Sequence, residues 1–496
     1  MKYINNKRDG IIYSCFLILM GALLLIHYIC IRPIMICDPD DWTYISYIRQ
    51  AVPLWGAWNP AKIFPETIEG LLGDFAAFVI YPIVGKYGYA MSYVFGIFLV
   101  ICILIYVYAF SSMIRSVYEL NVYQTCICSF MFLILHFLVL KSSGVRDKYL
   151  LTATNANCFM NYLVPALFCS SLGFSFIKKR MSMAQLATTD FNKGIFFFLL
   201  YMAVFSNMAS NIVLLAPIIY YFFADVFQLV KDASKSGKDR IHYLFVGQGG
   251  LYSIVIVLEM ICLVYESQGG RANDLEMNLR EEAASMAVNL KMIINDDINK
   301  GYLYCMMGVI VIAVTVWGAK KKAGEKIEAR FLNVFKLFTF CTILCSIYTI
   351  ALFIRVGADK ILRCENIMVM YMYFIVLSVM SLGYILRQMN KTIIAMPTAC
   401  FILFINACIP GGGNVYKQSG TFNMPMYKNE QIIESVIGQF QEADKNNQTE
   451  IDLHYPSKIS LSDGFAQRIS NTLYNHGIIE KNMTVHVVPD ESLDVH

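Results

Sequence analysis

The chain has 496 residues, of which 57% are hydrophobic and only 15% charged, and its mean hydropathy is +0.53. Soluble proteins carry about 25% charged residues, so the composition excludes an ordinary soluble protein. Many apolar stretches exceed the roughly 18 residues that mark a membrane-spanning helix. The sequence therefore predicts an all-α polytopic membrane protein. The net charge of +4 says little by itself, because membrane proteins distribute charge by side, and no nucleic-acid partner is expected.

The first apolar run, from about Ile11 to Ile31, is longer than the core of a signal peptide, and no small-residue cleavage site follows it. We expect it to be a retained signal anchor. The fifteen cysteines are scattered, and many lie within apolar runs. They are expected to act as small apolar residues of helices. A metal cluster or a disulfide framework is the less favoured alternative.

Eleven membrane spans are predicted, near residues 11–31, 89–113, 122–140, 161–177, 194–206, 212–230, 241–265, 301–317, 332–354, 366–386 and 392–408. The segment 71–85 is left out, because it is short and carries Asp74 and Pro82. With this choice, the basic clusters around 178–180, 231–240 and 320–322 fall on one side of the membrane. The positive-inside rule then predicts a cell-membrane protein with a cytoplasmic N-terminus and an external C-terminus.

On this topology the long polar segments are external: a first loop at 38–88, loops at 141–160 and 266–300, and a tail at 409–496. The chain is thus expected to form a transmembrane domain over 1–408 and a small extracytoplasmic α+β domain over 409–496.

The tail contains an amphipathic pattern followed by short strand patterns. One helical face carries Ile432, Ile433, Val436, Ile437 and Phe440. The stretches "EIDLHYP" and "MTVHVVP" are typical of short strands, with a polar helix near 462–475 between them.

Polar side chains are unfavourable inside a membrane, so their positions are informative. In this topology they gather at the outer ends of the spans. The candidate substrate-binding residues there are Asp38, Tyr44, Asn157, Asn161, Tyr162, Asn207, Asn211 and Glu259. Helix capping is the local alternative for the asparagines, whereas a carboxylate as deep as that of Glu259 needs a polar partner or a water-filled cavity. His136 is expected to be a hydrogen-bonded interior histidine.

Four cations of the outer segments are candidates for binding the phosphate of a donor: Arg146, Lys148, Arg355 and Arg363. Arginine suits this role because its guanidinium binds phosphate with two parallel hydrogen bonds. For Arg355 and Arg363 the alternative is that they anchor helix ends at the membrane surface.

The stretch "MICDPDDWTYIS", residues 35–46, directly follows the first span and places Asp38, Asp40 and Asp41 within four positions. Such carboxylates persist together where a cation neutralises them or where one has a raised pKa suited to proton transfer. A carboxylate here could act as general base on a sugar hydroxyl. The three are also candidate ligands of a divalent cation, Mg²⁺ or Mn²⁺. The local alternative is an acidic N-terminus of a helix that begins at Pro39.

The order of these elements resembles the GT-C glycosyltransferases. Like them, the chain has a first span followed by a long external loop that opens with adjacent acids, "DPDDWTY", and later the elements "NYLVP" and "SNMASN". The likeness covers roughly residues 1–408 and is greatest to uncharacterised bacterial members. It implies a polyprenyl-phosphate sugar donor, an envelope glycan or glycolipid acceptor, and Asp40 or Asp41 as the catalytic carboxylate.

Two departures limit the resemblance. The turn "SNMASN" lacks the acidic residue expected of relatives, and the tail has no "WWDYG"-like signature, which argues against transfer to protein asparagine. The alternatives are a transporter or flippase of lipid-linked glycans, another envelope polymerase or ligase, and a receptor-like protein that acts through its tail. A flippase predicts internal pseudo-symmetry and charges at the membrane midplane, and the sequence has neither feature.

Overall fold

A computed structural model of the protein describes residues 7–49, 62–141, 148–181, 190–232, 237–245, 247–267, 278–320, 326–388, 424–458 and 461–493. The first helices are α1 Lys7–Leu25, α2 Pro39–Tyr44, α3 Ile63–Phe75, α4 Tyr81–Val84, α5 Tyr87–Tyr118, α6 Val122–Leu138, α7 Ala156–Cys158, α8 Val164–Met181 and α9 Asp190–Val204. They are followed by α10 Met208–Lys231, α11 Gly237–Phe245, α12 Gly247–Ser267, α13 Leu279–Met292, α14 Lys300–Lys320, α15 Lys326–Val356 and α16 Cys364–Gln388.

Short π-helical and 3₁₀ segments extend or join these helices. The π-helical segments are Ile26–Ile31 after α1, Ala76–Ile80 between α3 and α4, Phe159–Leu163 between α7 and α8, and Ile293–Asp297 after α13; the 3₁₀ segment Ala358–Leu362 precedes α16.

Eight helices of the described chain are long and apolar enough to cross a membrane, and three shorter apolar helices accompany them at Val122–Leu138, Gly194–Val204 and Gly249–Tyr265. The protein is therefore a mostly helical, multi-pass membrane protein, as its composition predicts. The figure of eleven spans stays a prediction, because the span at 392–408 lies outside the described residues.

The acidic motif lies at one end of the helix bundle, which we call the site end. Helices α1 and α5 run antiparallel: Gly96 lies against the backbone of Tyr28, and Tyr13 near the other end of α1 bonds Ser111. The chain leaves α1 at the site end and enters α2 there.

The turn between α9 and α10 lies at the same end. Asn207 donates to the carbonyl of Asn161 at 2.7 Å, and the nearby Asn157 N–H bonds Asp41 in α2 at 2.8 Å. These bonds connect three separate parts of the chain at the site end.

The continuous helix from α3 to α4 begins and ends at the site end, although its length and composition would allow it to span. At its start the Phe64 N–H donates to the Phe205 carbonyl, in the turn before α10, at 3.2 Å. At its end the ring of Tyr81 lies 5.5 Å from that of Tyr87, which stacks on Trp42 of α2 at 5.9 Å. These contacts hold both ends of the helix at the site end, and the omission of 71–85 from the spans stays a prediction.

The two faces of this helix differ in polarity. Its exposed side carries Leu71, Phe75, Phe78, Val79 and Ile83, which are 44–78% exposed. These residues recur at helical spacing and form an apolar stripe, typical of a helix that rests in the membrane interface. The opposite face turns carboxylates and glycines toward the acidic motif.

Two glycines of α3 allow the chain after α2 to approach closely. A Cβ atom at Gly73 would lie 1.8 Å from the Ile45 carbonyl oxygen, and one at Gly70 would lie 2.5 Å from that of Tyr47. Only glycine fits at such distances. This contact fixes α3 beside α2.

The C-terminal segment comprises α17 Met426–Lys445, β1 Glu450–Pro456, α18 Asp463–Asn475 and β2 Thr484–Asp490. The two strands pair in parallel, with Glu450 opposite Thr484 and Pro456 opposite Asp490. The predicted amphipathic helix, both strands and the polar helix between them are present. The apolar face of α17, from Ile432 to Phe440, is buried as its spacing predicts.

The thirteen cysteines within the described ranges are free thiols, and eight of them are buried. Most therefore serve as small apolar residues, as predicted. Among the described residues there is no group of three or more His, Cys, Asp or Glu that could hold a metal ion.

Candidate active site

The acidic motif forms a capped helix start. The Asp38 side chain accepts the Asp40 N–H at 3.1 Å, Pro39 occupies the first helical position, and the Asp41 carboxylate accepts the Asp38 N–H at 2.9 Å. This reciprocal pattern is a capping box, which satisfies N–H groups that a helix start leaves unpaired. The Asp38 side chain therefore serves to cap the start of α2.

Asp41 is fully buried and joins two backbone segments, the chain entering α2 and helix α7. Its carboxylate accepts N–H groups from Cys37 at 3.0 Å, from Asp38 and, at 2.8 Å, from Asn157 after the start of α7. Burial raises the pKa of Asp41 to about 7, against the opposing effect of these donors. Because both oxygens are occupied, the geometry favours Asp40 over Asp41 as the carboxylate that meets a substrate.

Asp40 is the accessible acid of the motif. Its side chain is 41% exposed, and Oδ1 accepts a hydrogen bond from Arg468 of α18 at 3.1 Å. No other described residue donates to this carboxylate. One oxygen is therefore held by a cation and the other remains available.

The expectation that Asp38, Asp40 and Asp41 bind Mg²⁺ or Mn²⁺ together does not fit this arrangement. Asp38 accepts a backbone N–H, Asp41 is surrounded by three such donors, and Asp40 faces Arg468. Because the helix cap separates their directions, the three carboxylates do not converge on one point.

Glu69 of α3 adds a carboxylate that is not among the site residues predicted from the sequence. It is fully buried, and its Oε2 accepts a hydrogen bond from Asn161 Nδ2 at 3.4 Å. The same amide group contacts the Asn157 side chain and donates to the Asn157 carbonyl at 3.2 Å. Glu69 Oε1 and Asn161 Oδ1 are buried without a hydrogen-bond partner among the described residues.

A second acid follows along the same polar network. Asn211 donates to Glu259 Oε2 at 2.7 Å, which supplies the polar partner expected for a carboxylate within an apolar helix. The backbone carbonyl of Tyr162 accepts the Ser210 hydroxyl at 2.9 Å, and Asn207 caps α10 through the Ala209 N–H at 2.8 Å. The asparagine turn thus serves both as a cap and as a link between the π-helical segment Phe159–Leu163, α10 and α12.

The predicted phosphate-binding cations have different surroundings. Lys148 pairs with Asp297 at 2.5 Å, and Arg363 lies 3.9 Å from the sulfur of Cys158, next to Asn157. Arg355 is exposed near the end of α15. Arg146 lies outside the described residues. Arg363 is therefore the predicted cation that contacts the segment joined to Asp41.

Other partners of the predicted residues come from helix α3 and its neighbours. Glu66 pairs with Arg49 through Nε at 2.5 Å, and burial raises the pKa of Tyr44, with the charge of Glu66 adding to the effect. Glu66 and Glu69 occur three residues apart, with Gly70 and Gly73 on the same helical face. This spacing in the sequence indicates a buried acidic face, because residues at these spacings share one side of a helix.

His136 has the interior role predicted for it. It is fully buried, Nε2 lies 3.0 Å from the Tyr106 hydroxyl, and Nδ1 lies 2.7 Å from the Phe132 carbonyl oxygen. It does not take part in the contacts around Asp40.

No family model, no curated protein and no solved structure matches the chain.

Proposed function

We propose that the protein is an integral membrane glycosyltransferase of the GT-C type. It moves a sugar from a polyprenyl-phosphate donor to a hydroxyl group of an envelope glycan or glycolipid. The proposal places it in the plasma membrane, with a cytoplasmic N-terminus and the site end outside. Its support is the order of sequence elements together with the grouping of acids, amides and arginines at one end of a multi-pass bundle.

The observation that carries the proposal is a pair of buried oxygens close to the acidic motif. Glu69 Oε1 and Asn161 Oδ1 have no hydrogen-bond partner among the described residues. An unsatisfied buried polar group costs about 1–3 kcal/mol. A sugar ring carries several hydroxyl donors within a few ångströms, which is the kind of group that such oxygens bind. A purely apolar ligand would satisfy neither.

Asp40 is assigned as general base because it is the exposed carboxylate of the motif. It takes the proton of the acceptor hydroxyl while the hydroxyl oxygen bonds to the anomeric carbon of the sugar. The bond between that carbon and the phosphate oxygen breaks, and its electron pair leaves with the polyprenyl phosphate. Asp40 then returns the proton to water. A single displacement of this kind inverts the anomeric configuration.

The donor phosphate is assigned to Arg363. Lys148 is neutralised by Asp297, whereas no carboxylate of the described residues lies at hydrogen-bond distance from Arg363, so Arg363 attracts an anion more strongly. The polyprenyl tail would lie among the membrane helices, which brings the phosphate to their ends near the site.

The class of activity is tested with purified protein in lipid nanodiscs. Radiolabelled polyprenyl-phosphate glucose, mannose and galactose are supplied one at a time, with a cell-envelope glycolipid extract as acceptor. We expect the label of one donor to leave the polyprenyl carrier and appear in the acceptor fraction. Movement of intact labelled donor across proteoliposome membranes, without transfer, would instead identify a flippase and overturn the proposal.

A further inference from the structure

Helix α18 of the C-terminal segment covers the acidic motif. The Thr472 hydroxyl bonds the Trp42 carbonyl and lies 2.9 Å from the Ser46 hydroxyl. His476, just after α18, bonds the Tyr87 hydroxyl through Nδ1 at 2.7 Å. The C-terminal segment is thus attached to α2, to the chain just after it and to the start of α5.

One side chain of α18 reaches the proposed base. Arg468 donates to Asp40 Oδ1 at 3.1 Å and to the Thr43 hydroxyl at 3.2 Å. Its guanidinium also lies over the ring of Phe465, 4.6 Å from the ring centre. Three neighbours therefore fix the direction of a long side chain that is otherwise free to rotate.

The Arg468–Asp40 pair opens to solvent. The side chains are 39% and 41% exposed, respectively. An exposed ion pair contributes only about 0–1 kcal/mol to stability. Stability alone is therefore a weak reason for placing an arginine on the accessible acid of the motif.

We propose that Arg468 is a positioning residue for Asp40 and that α18 forms the acceptor-facing wall of the site. This inference rests on the proposed function. In a single displacement, the incoming hydroxyl and the leaving phosphate occupy opposite faces of the sugar. A cation bonded to the base therefore lies on the acceptor side, away from the phosphate. Arg468 holds Oδ1 and directs Oδ2 toward the acceptor hydroxyl.

The test compares Arg468→Gln and Arg468→Lys with wild type, using the donor that wild type accepts and a varied concentration of the glycolipid extract. Lys445→Gln is the matched control, because Lys445 is an exposed cation of the same segment but belongs to α17 and not to α18. We expect Arg468→Gln to lower kcat about tenfold or more with donor KM within about twofold, because positioning acts on the reacting step. Arg468→Lys keeps the charge and should recover part of the loss.

Limited proteolysis of the same variants separates positioning from attachment. The C-terminal segment of Arg468→Gln should stay as protected as that of wild type, because the Thr472 and His476 contacts remain. Wild-type kcat in Arg468→Gln would overturn the inference. A loss of activity that matches a loss of protection, without rescue by lysine, would also overturn it and indicate a purely structural contact.

The proposed function and this inference can fail separately. If wild type transfers no sugar from any donor, the proposed function fails and the inference with it. If wild type is active and Asp40→Asn is not, but Arg468→Gln is fully active, only the role of Arg468 is wrong. The exchange Asp40→Arg with Arg468→Asp should restore the ion pair without restoring transfer.

Discussion

At the scale of single residues, the acidic motif contains a buried carboxylate with a structural role and an exposed carboxylate that we propose as the base. Asp41 has no exposed surface and accepts three backbone N–H groups, whereas Asp40 is 41% exposed and faces one arginine. Adjacent acids in a sequence look alike, yet the helix cap turns one inward and the other outward. Their substitutions should therefore have different consequences.

Replacing Asp41 with alanine should destabilise the protein far more than replacing Asp40. The first change leaves one buried and two partly buried N–H groups without an acceptor, so we expect the free energy of unfolding to fall by about 1–3 kcal/mol or more. The second removes an exposed ion pair worth about 0–1 kcal/mol. Thermal unfolding in detergent measures both, and equal losses of stability would contradict the assigned roles.

At the scale of elements, the acidic motif depends on close packing between α2 and α3. Gly73 allows the Ile45 carbonyl to approach to a distance that a Cβ atom would block at 1.8 Å. Gly438 in α17 has open space around it, with no atom within 4 Å of a built Cβ. The two positions form a matched pair of helical glycines.

Gly73→Ala should force α3 away from the chain after α2 and lower stability by about 1–3 kcal/mol, the usual effect of overpacking. Gly438→Ala should be neutral or stabilising by up to about 1 kcal/mol, because alanine favours a helix over glycine. Unfolding temperatures in detergent would compare them. A Gly73→Ala protein as stable as wild type would argue against the packing of α3 on Ile45.

The attachment of the C-terminal segment should weaken in acid through His476. Its side chain is fully buried, and burial lowers its pKa to about 4, although Asp74 lies 3.4 Å from Nε2. An exposed histidine has a pKa of about 6.5, so the detached state binds more protons between these values. Stability is present above about pH 6.5 and is lost as the pH falls toward 4.

Limited proteolysis should therefore cut the C-terminal segment faster at pH 5 than at pH 7.5. Burial also raises the pKa of Glu430, which bonds the Tyr89 N–H, to about 7, and this group has the opposite trend. Because Glu430 is present in both proteins, comparison with His476→Gln isolates the histidine. An unchanged pH dependence in His476→Gln would rule out the assignment.

At the scale of the whole molecule, we predict that the helix from α3 to α4 does not cross the membrane, because both of its ends lie at the site end. Epitope tags inserted after Gly85 and after Lys481 should both be accessible to antibody from the outer side of intact cells. A tag after Glu119, in the turn between α5 and α6, should be accessible only after permeabilisation. A Gly85 tag on the opposite side of the membrane from the Lys481 tag would show that 63–84 spans, because the C-terminal segment packs on α2 at the site end.

Much of the local structure could be predicted from the sequence, because it depends on short-range patterns. The capped start of α2, the apolar face of α17 and the asparagine turn each follow from residues within one or two helical turns. The bond between Asp40 and Arg468 joins residues 428 positions apart, so no local pattern indicates it. Hydropathy alone also cannot decide whether the helix 63–84 crosses the membrane or lies along its surface.

The central claim is that Asp40 is the base of a glycosyl transfer, and a single-turnover measurement tests it most directly. Asp40→Asn keeps the size of the side chain but removes its basicity, and Asp452→Asn makes the same change at an exposed position of β1. With the labelled donor that wild type uses, we expect Asp40→Asn to slow transfer by about 10²–10⁴-fold and Asp452→Asn to match wild type. Transfer by Asp40→Asn at the wild-type rate would contradict the account.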